Sequence, residues 1–222
     1  MSTILPIPFS PLGFIYQAAL DALRLAADTA ESALASQLAA KRAELAAYNA
    51  GTVFIGERDA DGYRIWEQDQ VLEIAIERLA EALLEVRRTF VISAYHHWEV
   101  SVVSWARHAD PTAKDPGHHD QLVAKAADLG YPADPELCKV RRLANLFKHD
   151  SSTARAALEQ AVPDHYKAAF ANDATRPFWA SGARVAPETL NWVFDVVRYS
   201  GPFAHGGSRR RATATLSPSG GA

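Results

Sequence analysis

From Glu67 to His108 the chain contains neither glycine nor proline, and this feature restricts the possible folds more than any other. So long a run without a breaker reads as a long helix, in one piece or broken. Val71, Ile74, Leu79, Leu83, Val86, Phe90, Ala94, Trp98, Val102 and Trp105 approximate its buried stripe. A second long helix is expected before it. Ser10 supplies a cap and Pro11 a first-turn proline, and Phe14, Ala18, Leu23, Ala26, Ala30, Leu34, Leu38 and Leu45 keep a helical spacing to about Ala50. Between the two helices, Thr52–Ile55 and Tyr63–Trp66 flank an Asp61-Gly62 turn, which predicts a small β-hairpin.

The remaining elements are shorter. His119 to Leu129 reads as a helix closed by Gly130-Tyr131-Pro132. Asp134-Pro135-Glu136 combines a capping side chain, a first-turn proline and an acid at the positive helix end, and opens a helix to about His149. A short helix follows from Ser151 or Ser152 until Val162-Pro163 interrupts it. The stretch from Arg176-Pro177 to Pro187 reads as irregular, and a last helix covers Glu188 to Tyr199 with Leu190, Val193, Phe194 and Val197 inward. The expectation is an all-α bundle of four to five helices. Residues 1–66 form an extension, residues 67–200 the main helical domain, and residues 201–222, with Arg209-Arg210-Arg211, a disordered basic tail.

Composition excludes several classes. With 48% apolar residues a chain of 222 can build a continuous core without cross-links. The single Cys138 allows no internal disulfide, which points to a reducing, cytoplasmic setting. No run reaches the ~18 apolar residues of a membrane span, and Met1 to Ser10 does not read as a secretion signal. The net charge of -3 means that any RNA contact must be local. His96-His97 with Glu99 puts its side chains on diverging helix faces, unlike the i, i+4 pair that shares a zinc ion, so no metal and no cofactor is expected. His118-His119 lies in a Pro/Gly loop and is expected to be exposed. Cys138 is expected to be a small packed residue, and Trp98, Trp105 and Trp192 fall at core positions.

Chemistry concentrates on the helix that begins at Asp134. Leu137, Val140, Ala144 and Phe147 form its core face, while Arg142, Asn145 and His149 lie within roughly 60° of one another on a second stripe. Cleaving RNA without a metal requires a base for the 2'-hydroxyl proton, an acid for the leaving oxygen and a cation for the phosphorane charge. Histidine exchanges protons near neutrality and arginine bonds phosphate oxygens in pairs. The same residues also suit plainer roles: His149 as a cation at a helix C-terminus, and Arg141, Arg142 and Lys148 as a solvated basic face.

The string Arg141-Arg142-Leu143-Ala144-Asn145-Leu146-Phe147-Lys148-His149-Asp150 resembles the signature helix of HEPN domains, in which an Arg precedes a His by four to six intervening residues. Phe90 to Trp105, with Tyr95-His96-His97-Trp98-Glu99, is similar to that family's earlier aromatic-rich helix. Ser151 to Pro163, with Leu158, resembles the spacing after its His. The resemblance spans roughly Glu67 to Tyr199. It implies an all-α bundle that forms homodimers, with two Arg/His motifs across one cleft, and a metal-independent endoribonuclease of toxin–antitoxin or antiviral systems. Arg142, Asn145 and His149 would then be catalytic, and Arg141, Lys148 and Glu99 supporting. RNA, a second copy and an antitoxin protein would be the partners. The chain departs from the pattern in placing Leu143 where many active relatives have a polar residue. Counting from Arg141 restores that residue but stretches the gap to seven. Inactive relatives imply an alternative, a non-catalytic module that binds a partner protein or nucleotide.

Overall fold

The computed structural model describes residues 9–112, 114–149, 151, 153, 156, 159–160 and 184–204. Their elements are α1 (Pro11–Ala50), β1 (Gly56–Arg58), β2 (Arg64–Glu67), α2 (Gln68–Ala109), α3 (His119–Asp128), α4 (Leu137–His149) and α5 (Pro187–Tyr199). The fold is all-α with one small antiparallel hairpin. The expected helix after Ser151 rests largely, and the Leu158–Pro163 spacing and Arg209–Arg211 entirely, on residues outside those described.

Local chemistry explains where the two long helices start. The Ser10 hydroxyl accepts from the Gly13 amide at 3.1 Å, and Pro11 fills the first turn, where no amide partner is needed. At the head of α2, Glu67 and Gln70 form a reciprocal capping box in which the Glu67 amide donates to Gln70 Oε1 at 3.2 Å. The hairpin between them pairs Gly56 with Glu67 and Glu57 with Trp66, and Gly62 takes a positive φ of 85° at its turn. The first strand thus falls at Gly56–Arg58, after the β-rich Thr52–Ile55.

α1 and α2 run antiparallel. The Tyr48 hydroxyl reaches Glu67 at 3.2 Å near the hairpin, and Arg87 pairs with Glu31 at 2.6 Å further along. α2 is continuous over about 60 Å. Its second half is the spine of the core: Val91, Ala94, Tyr95, Trp98 and Val102 are buried in one cluster with Tyr16, Leu20 and Ala27 of α1, Leu122 and Ala126 of α3, Val140 and Leu143 of α4, and Val193 and Phe194 of α5. Toward the hairpin the arm buries little beyond Leu38 and Leu72, and Val53, Tyr63, Ile65 and Ile74 are exposed.

Residues 200–204 lock this core. Trp98 is fully buried and its indole N–H donates to the Ser200 carbonyl at 2.9 Å, while Gln17 donates to the Pro202 carbonyl at 2.9 Å. Gly201 to Ala204, assigned to the tail by composition, pack against α1, where the Ser10 amide donates to the Ala204 carbonyl.

Several expectations about orientation need correction. Phe14, Val71 and Ile74, read as buried, are exposed, and the inward stripe of α1 follows Tyr16, Leu20, Ala27 and Leu38. Alanine contrasts too weakly with its neighbours to fix a helix's phase, so an Ala-rich helix can be read one position out. Cys138 is exposed rather than packed, and α4 begins at Leu137 after a turn, with Asp134 Oδ1 accepting from the Glu136 amide at 2.8 Å. Among the described residues no helix is long and apolar enough to cross a membrane.

Candidate functional site

α4 is strongly amphipathic, and its packing decides what each polar residue can do. Leu137, Val140, Leu143, Ala144 and Leu146 are buried against α2 and α5, so Leu143 and Leu146 join the expected core face, while Phe147 is only half-buried. Phe147 takes the Arg88 guanidinium over its ring at 6.0 Å. The start of the helix is tied to α5 through Glu136, whose Oε2 accepts from the Trp192 indole at 3.0 Å, and whose other oxygen pairs with Lys139 at 3.0 Å.

With the core face fixed, helical geometry places the rest. Arg142, Asn145 and His149 lie roughly opposite Val140, at about 140–200° around the axis, on the outward side. Arg142 and Asn145 are half-buried; Lys148 and His149 are exposed in the last turn. Arg142 and His149 are separated by about 10 Å along the axis, with Asn145 between them. A guanidinium, an amide and an imidazole therefore share one face.

Arg141 belongs elsewhere. About 100° from Arg142, it flanks the core face, and its charge acts on Tyr95 of α2 and His119 of α3. Those two form a hydrogen bond of 2.8 Å between the Tyr95 hydroxyl and His119 Nδ1, with the Trp98 ring 5.7 Å from the imidazole. Glu99, one turn beyond Tyr95, acts on the same pair, and its Oε2 lies 3.5 Å from His96 Nδ1. Its side chain is 28% exposed. Arg141 Nε is buried without an acceptor, and among the described residues the guanidinium makes no hydrogen bond or ion pair. Glu99 and Arg141 each bear electrostatically on the Tyr95–His119 pair, whereas Arg142 and His149 stand on another face of α4.

Electrostatics at that pair follow from burial. Desolvation, reinforced by the Arg141 charge, lowers the His119 pKa below the ordinary histidine value against the opposing pull of Asp120 and Glu99. Burial, then the Glu99 carboxylate, push the Tyr95 hydroxyl far above its usual range. Tyr95 is therefore a phenol and His119 a neutral imidazole at neutral pH. His97 is also held below the ordinary value, first by desolvation; its Nε2 meets the Tyr16 carbonyl at 3.1 Å and its ring stacks on Tyr16 at 4.8 Å. His96 points to solvent.

His119 and Tyr95 are the residues that the sequence reading missed. His119 is 7% exposed, contrary to the expectation for a loop histidine. A signal was present: His119, Leu122 and Ala126, spaced three and four apart, are the buried stripe of α3, so the histidine continues an apolar register. Among the described residues no three His, Cys, Asp or Glu side chains converge as metal ligands do. Comparison with known proteins adds no parallel, since no family model, curated protein or solved structure matches the chain.

Proposed function

We propose that the chain is a metal-independent endoribonuclease of HEPN type, acting as a toxin or antiviral effector in the cytoplasm, with its chemistry on the outward face of α4. One observation carries this reading: a continuous helix sets Arg142, Asn145 and His149 on the side away from its buried stripe. In this reading a His149 imidazole takes the 2'-hydroxyl proton, the oxygen attacks phosphorus, and the bond to the 5'-oxygen breaks as that oxygen receives a proton. Arg142 holds the non-bridging oxygens as charge builds on them, and Asn145 orients the phosphate or the imidazole. Two copies of the face across a homodimer cleft supply base and acid together, and an antitoxin protein covers the cleft.

The test is purified chain with tRNA or total RNA in excess EDTA. Cleavage should leave 2',3'-cyclic phosphate and 5'-hydroxyl ends. His149→Ala should slow it by about 10²-fold or more, the usual worth of a positioned acid or base. RNA left intact by the wild type, or cut equally well by His149→Ala, would overturn the proposal.

A further inference from the structure

α1 carries two apolar faces, and only one of them meets the core. Tyr16, Leu20 and Ala27 point inward, whereas Phe14, Ile15, Ala18, Ala19, Ala22 and Leu25, at helical spacing on roughly the opposite side, are exposed. That stripe runs for about 17 Å without a charged residue. Its bulk gathers toward Pro11. Phe9, Phe14 and Ile15 are each more than half exposed, and the Phe9 and Phe14 rings meet at 5.9 Å. Ile4, Leu5 and Ile7 precede Phe9 in the sequence, and chain length alone keeps Ile7 within about 7 Å of it.

Charge is distributed to match. All 26 Asp and Glu residues lie between Asp21 and Asp195, so residues 1–20 and 196–222 hold no acid, and the second stretch holds Arg198 and Arg209-Arg210-Arg211. The fold brings the two stretches together: the Ser10 amide donates to the Ala204 carbonyl at 2.8 Å, and the Phe203 carbonyl lies over Gly13. Arg209 follows Ala204 by five residues, which holds it within about 18 Å whatever path the backbone takes. Asp21, the first acid on α1, is paired with Arg198, and Asp115, in the loop after α2, with Arg107. One region of a molecule with a net charge of -3 therefore joins exposed apolar side chains to three consecutive arginines.

We propose that this region is a docking surface for an anionic phospholipid bilayer, with Phe9, Phe14 and Ile15 entering the boundary between headgroups and acyl chains and Arg209–Arg211 meeting lipid phosphates. Shallow apolar insertion and a polybasic run are two signals that hold a protein at such a surface in combination. Two other occupants fit less well. Single-stranded RNA stacks on rings, and Ile15, Leu25 and the alanines between them have none. A second copy would bring a second arginine run against the first with no acid in either stretch to offset it. The proposal is independent of the ribonuclease reading, which uses the outward face of α4.

Flotation of the full chain with lipid vesicles tests it. The chain should rise with vesicles of mixed phosphatidylcholine and phosphatidylglycerol, stay behind with pure phosphatidylcholine, and detach as salt is raised. The triple variant Arg209→Gln, Arg210→Gln, Arg211→Gln and the double variant Phe14→Ser, Ile15→Ser should each bind about tenfold or more weakly. Because Phe14 and Ile15 are exposed, the double variant should keep the wild-type melting temperature. Tyr63→Ser, which removes an exposed ring from the hairpin, should bind as the wild type does. Binding to neither vesicle, equal binding to both, or undiminished binding by the triple or the double variant overturns the proposal. So does finding, in place of vesicle binding, a complex with single-stranded RNA or a dimer that Phe14→Ser, Ile15→Ser disrupts. RNA cleavage plays no part in this measurement, so a chain that floats but leaves RNA intact, or cuts RNA but does not float, separates the two readings.

Discussion

Individual side chains divide the titratable residues of this protein into those that face water and those the core has taken in. His97 and His119 are both held below the ordinary histidine value, chiefly by desolvation, His97 against the Tyr16 carbonyl and ring and His119 against Tyr95 and Trp98. The unfolded chain therefore binds more protons than the folded one at pH values just under 6.5, the ordinary histidine value. Their contribution to stability is complete above that pH and declines as the pH falls through it. Urea midpoints measured from pH 7.5 down to 5.5 should fall, and the decline should be shallower in the His97→Gln, His119→Gln double variant. A flat wild-type profile would contradict these assignments. The sequence was informative about Trp98, whose position in an apolar register matches its complete burial. It was misread at His119, because a Pro/Gly loop before a helix suggests exposure, while tertiary packing tucks the first turn of α3 onto α2.

Helices and their crossings pose a different problem, since an element is recognised from its own residues and its phase only from its neighbours. The long helices, the hairpin between them and α5 could all be read from breaker-free runs, caps and the Asp61-Gly62 turn. The inward face of α1 could not, because it depends on which side α5 and residues 200–204 occupy. Gly13 shows that dependence. A β-carbon there would overlap the Phe203 carbonyl, and one at Gly201 would overlap the Tyr16 ring, so residues 201–203 cross α1 where no side chain fits. Gly13→Ala should destabilise the fold by about 1–3 kcal/mol, the usual cost of overpacking. For a chain of this size the melting temperature falls by about 2–4 °C per kcal/mol. Gly117→Ala is the control, because its added carbon meets nothing closer than the Gln121 carboxamide at 3.7 Å. Thermal melts followed by circular dichroism compare the two, and equal melting would refute the close crossing.

Across the whole molecule the core gathers at one end of the α1/α2 pair, and the hairpin crowns the other. The exposed Cys138 is the only cysteine, which makes it a native labelling point on α4. Ile74, exposed near the start of α2, offers a second site as Ile74→Cys. A spin-label pair at the two positions should give one narrow distance distribution; a broad or two-peaked one would mean that the arm bends. The reason lies in α2 itself, which has no proline, glycine or other break between Gln68 and Ala109. Gln68, beneath the hairpin, and Glu99, beside the Tyr95–His119 pair, therefore stand at a set reach of roughly 45 Å. The helix acts as a strut that keeps the hairpin at a constant stand-off from the Tyr95–His119 pair, as a caliper does.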